Sequence, residues 1–384
     1  MMRNRVAECK APFLDTDKTI RVAMFNVSMS EPESGRILHQ TEKADNKRFQ
    51  RLAAIIQHVN ADVLLLCEFD HLGQGGDDGS LNNFCQHYLA QSQYQQNAIS
   101  YLYRYCPPSN TGLLSPVDLN GDGMCTLPED GLGFGEFHGH FSFVILSKYP
   151  LNEDNIRTWQ TLLWKAMPNA LLPTDYYSEA AQEVLRLSSK NHVVVPVLVD
   201  GKEINLLCCH PTPPVFDGNE RRNAKRNHDE IQLLIDIIEN APYLIDDKKQ
   251  AGGLEPEDAF IVMGDLNADM VDGDGTKSAI QRLLKHNKIN RAVSCGVNTP
   301  KSEGGQHYYP WQKRKGRKNE WTHLAGLRLD YVLPSTHLTV SNSGVFWPDK
   351  HDPLRHLILD CKGKEKPTAG SDHRMVWVDI IISQ

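Results

Sequence analysis

Seven polar side chains stand at or beside the ends of otherwise apolar runs in this sequence, namely Glu68, His210, Asp265, Asn267, Asp330, Asp372 and His373. Carboxylate and carboxamide oxygens are the ligands that Mg²⁺, Mn²⁺ and Ca²⁺ prefer, and imidazole transfers protons near neutral pH. One aspartate at a strand end is usually a turn former or a helix cap, but so many polar residues in apolar surroundings favour a shared site. The sequence contains no P-loop, GxSxG or HExxH motif. The chemistry that remains is attack of water on a phosphoester, assisted by a divalent metal ion.

Alternating strands and helices must hold these side chains together. The apolar patterning predicts strands at 21–29, 61–70, 140–150, 192–199, 203–210, 259–267, 327–334, 338–348 and 373–381. It predicts amphipathic helices at 47–59, 220–240 and 277–287, and Asp200-Gly201 predicts a tight hairpin. Because strand ends and strand starts meet at one edge of a mixed sheet, we expect the polar residues to lie there. Asp265 and Asn267 are two residues apart in a predicted strand and would therefore point to the same face.

The composition is that of a globular protein, with 40% hydrophobic and 23% charged residues, and it excludes disorder, collagen and coiled coil for the whole chain. The 41 basic and 48 acidic side chains give a net charge of −7. Any binding of phosphate must therefore depend on a local concentration of positive charge. No Pro/Ser-rich linker divides the chain, so we predict an N-terminal extension at 1–20 and a single α/β domain at 21–384. Residues 71–138 lack a sustained period and are predicted to be an irregular insertion with its own fixed structure.

The sequence has neither an apolar signal-peptide core near its start nor a run approaching about 18 apolar residues. We therefore predict no membrane span, a monomer, and a cytoplasmic location by default, with secretion open if a signal was removed. Cys208 and Cys209 lie in an apolar run and are predicted to be buried strand residues. Cys85, Cys106 and Cys125 lie in the irregular insertion and can include one disulfide if the protein is extracellular.

Five short motifs together resemble a known family. They are FNVS (25–28), LLLCEFD (64–70), GDLNAD (264–269), LDYVLP (329–334) and SDHRMVWV (371–378). In this order and spacing they are similar to the successive signatures of the endonuclease/exonuclease/phosphatase superfamily. The resemblance runs from about residue 21 to 381 and implies a four-layer α/β/β/α sandwich of two mixed β-sheets with outer helices.

The resemblance also implies a catalytic ion, Mg²⁺ or Mn²⁺, and residues that hold it. Glu68 would be its main ligand, with Asp372 close to the metal site. Asn26 would bind an oxygen of the scissile phosphate or orient a neighbouring side chain.

The same resemblance assigns the remaining catalytic roles. Asp265 and Asn267 would position the attacking water and the phosphate. His373, held by Asp330, would be either the general base or a proton-bearing phosphate ligand. His210 matches a position where family members carry a second histidine or a tyrosine.

The predicted function is a divalent-metal-dependent phosphoric ester hydrolase, with phosphodiester cleavage, nucleic acid included, favoured. A small-molecule or lipid-headgroup phosphatase is the alternative, and a non-catalytic binding protein on the same fold is a third. Two basic stretches, 221–228 and 313–318, would flank the cleft and bind phosphate. The first of them contains Arg221, Arg222, Lys225 and Arg226, some of which would face the site and bind phosphate, with a solvated helix face as the alternative.

A calcium loop is predicted inside the insertion. Residues 118–129, DLNGDGMCTLPE, match the pattern D-x-[DN]-x-[DN]-G-x5-E in full. The predicted ligands are Asp118, Asn120, Asp122, the Met124 carbonyl, Thr126 and Glu129. Because neither flank has a helical pattern, we expect an isolated structural Ca²⁺ loop, with an ion-free turn as the alternative.

Overall fold

The computed structural model describes residues 17–382, so residues 1–16 of the predicted N-terminal extension and residues 383–384 lie outside the described part. The strands are β1 (Lys18–Met29), β2 (Val63–Phe69), β3 (Tyr103–Tyr105), β4 (Phe143–Ser147), β5 (Arg157–Thr158), β6 (His192–Val199), β7 (Lys202–Cys209), β8 (Phe260–Asp265), β9 (Asp330–Pro334), β10 (Thr339–Val345) and β11 (Val376–Ile382). The helices are α1 (Arg36–Thr41), α2 (Lys47–Val59), α3 (Ser80–Asn83), α4 (Glu179–Val184), α5 (Arg222–Ile238), α6 (Lys277–Leu284), α7 (Arg291–Cys295) and α8 (Glu303–His307). The strands and helices predicted from the patterning are all found, most of them with shifted ends.

The first sheet has six strands in the order β10-β11-β1-β2-β4-β3. Strands β1 and β2 run parallel, and their neighbours run antiparallel to them. The register pairs Asn26 with Cys67, so Asn26 lies beside Glu68. Helix α2 begins where predicted because the Asn46 side chain accepts the N–H groups of Arg48 and Phe49.

The second sheet has five strands in the order β5-β6-β7-β8-β9. Strands β6 and β7 form the predicted hairpin through Asp200 and Gly201, whose φ angles are 49° and 83°. Positive φ at both turn residues is what a tight two-residue hairpin of this kind requires. Strands β8 and β9 are antiparallel, and their register places Asp265 opposite Asp330.

The two sheets pack face to face, and helices cover their outer faces. Residues of the second sheet alternate between two cores, as the period of two in a strand requires. Val195 and Cys208 point into the core between the sheets. Val194 and Cys209 point into the outer core, where they join Ile231 of α5. The predicted four-layer sandwich and the burial of both cysteines are thus confirmed.

The predicted insertion at 71–138 is only partly irregular. Strand β3 pairs with β4 at the edge of the first sheet, Tyr103 opposite Ser147, so this part belongs to the sandwich itself. Three residues are too few for a periodic pattern to reveal a strand. Helix α3 and a π-helical segment, Phe84–Leu89, add further regular structure, whereas residues 106–138 form long loops.

Two other sequence expectations concern the described part of the chain. The eight cysteines within residues 17–382 are free, so the disulfide considered for Cys85, Cys106 and Cys125 is not formed there. Within the same residues, no helix combines the length and apolar character that crossing a bilayer requires.

Candidate active site

Asn26 joins the two sheets at one edge of the sandwich. Its Nδ2 donates to Glu68 Oε1 on β2 and to Asp265 Oδ2 at the end of β8, both at 3.0 Å. The side chain is fully buried, and its Oδ1 accepts the Ser28 N–H at 3.0 Å. With every polar atom of the amide in use, Asn26 fixes the distance between two carboxylates from different sheets.

Glu68 lies in a strained part of β2. Its φ is +54°, in the left-handed region that glutamate seldom adopts. Ser28, across the irregular end of β1, has a φ of +47°. Such strain persists only where the surrounding structure imposes it, and it is concentrated at functional sites.

Asp265 and Asn267 do not share an extended face, so that prediction is wrong. Strand β8 ends at Asp265, and Asn267 has a φ of +50°. The chain turns because the Asn267 N–H donates to Asp265 Oδ1 at 3.0 Å, closing a local turn. The Asn267 amide donates to the Pro211 carbonyl at 3.1 Å, which still places it beside His210 at the cavity described below.

His373 is held by Asp330, as the resemblance implied. Its Nδ1 lies 2.9 and 3.1 Å from the two Asp330 oxygens, and its Nε2 lies 3.5 Å from Asp265 Oδ2. Burial by itself lowers the pKa of His373, but the carboxylates of Asp330 and Asp265 outweigh burial and hold the pKa well above its usual value. Asp372 and His373 do not open the last strand as predicted, because β11 begins only at Val376.

His210 follows β7 and completes the group around Asp265. Its Nε2 lies 3.6 Å from Asp265 Oδ2, and its buried Nδ1 has no hydrogen-bond partner. Burial, followed by the charges of Lys190 and His373, lowers the pKa of His210 well below its usual value. Asp265 Oδ2 is therefore the atom on which Asn26 and both histidines converge.

Asp372 is bound by His323, a residue that the sequence analysis missed. The His323 Nε2 lies 3.3 Å from Asp372 Oδ2, and the Ala325 N–H donates to its Nδ1 at 3.0 Å. Burial raises the pKa of Asp372, but the His323 hydrogen bond and the charge of His373 bring it well below its usual value. The signal for His323 was its place in WTHLAGLRLD, shortly before Asp330.

Three overlapping groups of ligand atoms could hold a divalent cation at this site. In each group the atoms lie within 4.8 Å of one another; the groups are Glu68 with His210 and Asp265, Asp265 with Asp330 and His373, and His323 with Asp372 and His373. The structure thus groups Asp372 with two histidines and Glu68 with Asp265. Burial raises the pKa of both Glu68 and Asp265. A cation would relieve the cost of burying these negative charges, and carboxylates with imidazole fit Mg²⁺ or Mn²⁺.

The basic face of α5 is only partly available to phosphate. Arg226 is buried, and its guanidinium donates to the carbonyls of Leu187, Leu132 and Arg186. Arg222 donates to Glu220. Arg226 therefore ties the helix to the neighbouring loops. Arg222 and Arg226 also border the cavity described below, so part of the cluster faces the site, and phosphate binding by it stays a prediction.

The loop predicted to bind calcium closes on a different residue than expected. Asp118, Asp122 and Asp130 bring ligand atoms within 4.8 Å of one another. Asp130 accepts the Leu119 N–H at 2.6 Å, whereas Glu129 lines the cavity beside the catalytic residues. The structure therefore groups Asp130, rather than the predicted Glu129, with Asp118 and Asp122.

The other predicted loop ligands lie on the turn itself. Asp118 accepts the N–H groups of Gly121 and Gly123 at 2.6 and 2.7 Å. Asn120 Oδ1 accepts the Asp122 N–H, and Asp122 Oδ1 accepts the Met124 N–H. The Thr126 N–H donates to Asp130 Oδ2 at 2.8 Å. These hydrogen bonds fold the segment into a tight turn in which side-chain oxygens accept backbone N–H groups.

Several solved structures are similar to this chain. An endonuclease/exonuclease/phosphatase from Beutenbergia cavernae DSM 12333 has a TM-score of 0.51 at 16% identity, covering 95% of this chain and 72% of that one. A protein of the same description from Leptotrichia buccalis C-1013-b has a TM-score of 0.49 at 15% identity, covering 94% and 99%. Beta toxin from Staphylococcus aureus, in a structure with bound magnesium ions, has a TM-score of 0.46 at 14% identity, covering 94% and 99%. The first of these similarities shows a shared fold.

At the level of sequence, no curated protein is significantly similar to the chain. The model of the endonuclease/exonuclease/phosphatase family, however, matches residues 25–373. That span begins just before Asn26 and ends on His373, so it includes every residue of the catalytic group. The chain therefore belongs to the endonuclease/exonuclease/phosphatase family, whose enzymes hydrolyse phosphoric ester bonds.

Proposed function

We propose that the protein is a divalent-metal-dependent phosphodiesterase that cleaves its substrate by attack of water on phosphorus. The observation that carries this proposal is the convergence on Asp265 Oδ2. Asn26 Nδ2, His373 Nε2 and His210 Nε2 lie 3.0, 3.5 and 3.6 Å from that oxygen. A buried carboxylate surrounded by proton carriers and a second carboxylate suits metal-assisted hydrolysis.

The metal, Mg²⁺ or Mn²⁺, would be held by Glu68, with Asp265 and His210 in reach. Such an ion neutralises charge on a phosphate oxygen and makes bound water more acidic. Asn26 keeps Glu68 and Asp265 at a fixed separation through its two 3.0 Å hydrogen bonds. Their geometry therefore exists before substrate arrives, which lowers the cost of reaching the transition state.

Residues of this chain would carry out the proton transfers. Asp265 would orient the attacking water, and Asn267, which lies at the cavity wall, would bind a phosphate oxygen. His373 handles the proton at Nε2, because Asp330 occupies its Nδ1 at 2.9 Å and fixes the ring. His323 and Ser28 hold Asp372 beside this group.

The test is a comparison of bis-p-nitrophenyl phosphate with p-nitrophenyl phosphate, each with Mg²⁺, Mn²⁺ or EDTA. We expect metal-dependent turnover with the diester preferred. A strong preference for the monoester would support the phosphatase alternative instead. His373→Ala should abolish turnover, whereas His356→Ala, at an exposed position in the 3-10 helix Pro353–Ile358, serves as the matched control. No turnover of either ester, or of DNA, would refute the proposal.

Nucleic acid is a second candidate substrate because of a basic loop beside the site. Tyr309 and Trp311 are 82% and 85% exposed and precede the basic run 313–318. Arg314 donates to the Ala325 carbonyl at 2.9 Å, which fixes this loop against the turn that carries His323. Exposed aromatic rings next to cations suit single-stranded nucleic acid. Activity on DNA that falls steeply between low and moderate salt, with a small ester unaffected, would support this candidate.

We further propose that the loop at 118–130 binds Ca²⁺ as a structural ion, with Asp118, Asp122 and Asp130 as its acidic ligands. Hydrogen bonds from the N–H groups of Gly123 and Gly121 keep the pKa of Asp118 below its usual value, so its carboxylate is charged and ready for a cation. An all-oxygen donor set around a glycine turn suits Ca²⁺. Since this loop also forms a wall of the catalytic cavity, the ion would order that wall rather than take part in the chemical step.

A further inference from the structure

A deep cavity opens directly from the catalytic residues. It measures about 560 Å³ and is bordered on one side by Glu68, His210 and Asn267. Its other walls come from three loop regions, 119–134, 176–190 and 212–226. This volume is in the range of sites that enclose a small molecule.

The outer walls of this cavity are largely aromatic and apolar. Leu119 and Tyr177 are buried or nearly so, while Phe134 is 60% exposed although it borders the cavity. Tyr176 stands at the rim, where the Arg222 guanidinium lies 5.5 Å from its ring centroid. Flat rings and aliphatic groups around an enclosed space favour a planar apolar ligand group.

Lys190 lies deeper in the cavity and has no partner of its own. It is only 5% exposed, and within residues 17–382 its ammonium has no hydrogen-bond or ion-pair partner. An unpaired buried cation is costly, so its retention needs another source of stabilisation. Burial lowers the pKa of Lys190, and the negative charge of Glu230, followed by those of Glu68 and Asp265, opposes this.

The position of Lys190 is fixed relative to the catalytic histidine. Glu230 on α5 is fully buried and accepts the Ser189 N–H at 2.6 Å and the Ser189 hydroxyl at 2.8 Å. Its other oxygen accepts the Thr212 N–H at 2.6 Å, two residues after His210. One carboxylate thus anchors both the segment carrying Lys190 and the segment carrying His210.

We propose that the substrate is a small phosphodiester whose planar aromatic group, of about nucleoside size, fills this cavity. Lys190 would bind a non-bridging oxygen of the phosphate. This proposal rests on the proposed phosphodiesterase function and narrows its substrate. The aromatic walls recognise the organic group, and the lysine recognises the anion that every phosphodiester carries. The geometry favours a compact substrate over a polymer, since the cavity is closed by loops on three sides.

The experiment compares two diesters with the same leaving group, thymidine 5′-(p-nitrophenyl phosphate) and methyl p-nitrophenyl phosphate, under the same Mg²⁺ concentration. We expect kcat/KM to be at least about tenfold higher for the thymidine ester, because stacking of the base against aromatic side chains stabilises its complex by an amount that corresponds to such a factor. In the Phe134→Ala/Tyr176→Ala double variant the ratio of the two values should fall towards one. Tyr94→Ala, which removes a ring elsewhere on the surface, should keep the ratio of the parent.

Lys190 is tested separately with both esters. Lys190→Met should lower kcat/KM for both by about tenfold or more, and Lys190→Arg should restore part of the loss. Because the methionine variant loses an unpaired buried charge, it should melt at or above the temperature of the parent.

Three results would overturn this inference. Equal kcat/KM for the two esters in the parent would refute the aromatic pocket while leaving the phosphodiesterase function intact. A thymidine oligonucleotide cleaved with a higher kcat/KM than the thymidine ester would show that the substrate is a polymer. Absence of turnover for both esters would refute the phosphodiesterase function and this inference with it.

Discussion

Replacing Asp330 by asparagine isolates the support that His373 receives. Asp330 is fully buried, and its two oxygens lie 3.1 and 2.9 Å from His373 Nδ1. Asparagine has nearly the same shape, so the change removes the negative charge and one acceptor without opening a cavity. The imidazole would then be free to adopt the wrong tautomer or orientation, which is costly for a proton-transferring histidine.

The size of the effect follows from the interaction that is lost. A hydrogen bond to a charged group is worth about 1.5–3 kcal/mol. Since about 1.4 kcal/mol corresponds to a factor of ten in rate, kcat should fall by about ten- to hundredfold. KM should change much less, because Asp330 is enclosed behind His373 and does not line the cavity.

The assay is Mg²⁺-dependent hydrolysis of bis-p-nitrophenyl phosphate, together with thermal unfolding followed by circular dichroism. Asp379→Asn is the matched control, because Asp379 is also buried and pairs with Arg21 at 2.7 and 2.8 Å, away from the site. The control should lower the melting temperature without reducing the turnover of folded protein. If Asp330→Asn retained activity within about threefold of the parent, the assignment of Asp330 and His373 as a coupled pair would be refuted.

Other predictions test the two metal ions and the role of His323. Glu68→Gln should raise the Mg²⁺ concentration for half-maximal activity by about tenfold or more, since a charged ligand becomes neutral; an unchanged titration curve would contradict its role as ligand. His323→Ala should lower kcat by about tenfold because Asp372 loses a charge-assisted hydrogen bond, with His323→Gln partly active; parent-like kinetics of the alanine variant would rule this out. Ca²⁺ at a hundred times its Kd should stabilise the parent by about 2.7 kcal/mol in thermal unfolding. Asp118→Ala should remove that shift, and a parent melting unchanged by EDTA or Ca²⁺ would mean that the loop is an ordinary turn.

The fold was predictable because each long element carries its own periodic signal. The α2 boundaries, Lys47–Val59, agree with the prediction since Asn46 caps the helix and the apolar stripe ends where the helix does. The hairpin between β6 and β7 followed from Asp200-Gly201. Strand β3 escaped prediction because three residues at a sheet edge are defined by their partner β4 and not by their own pattern.

The sequence predicted which residues belong to the site better than it predicted how they contact one another. Residue types at strand ends identified Asp265 and His373, but which carboxylate pairs with which histidine depends on contacts between sheets. Lys190 was missed because a lysine after RLSS has the sequence appearance of a surface residue. Its burial arises from Glu230, which draws the preceding serine inward from a different element.

Local charge resolves the conflict between an acidic chain and an anionic substrate. The protein has a net charge of −7, and its catalytic group brings the buried carboxylates of Asp265 and Asp330 near that of the half-buried Glu68. A phosphodiester approaching these groups alone would be repelled, and a low local dielectric would strengthen that repulsion. His373 and Lys190 supply positive charge on two sides, but these three carboxylates outnumber the two cations. A divalent ion at Glu68 would reverse the balance, which is the electrostatic reason to expect that activity requires the metal and that chelation abolishes it.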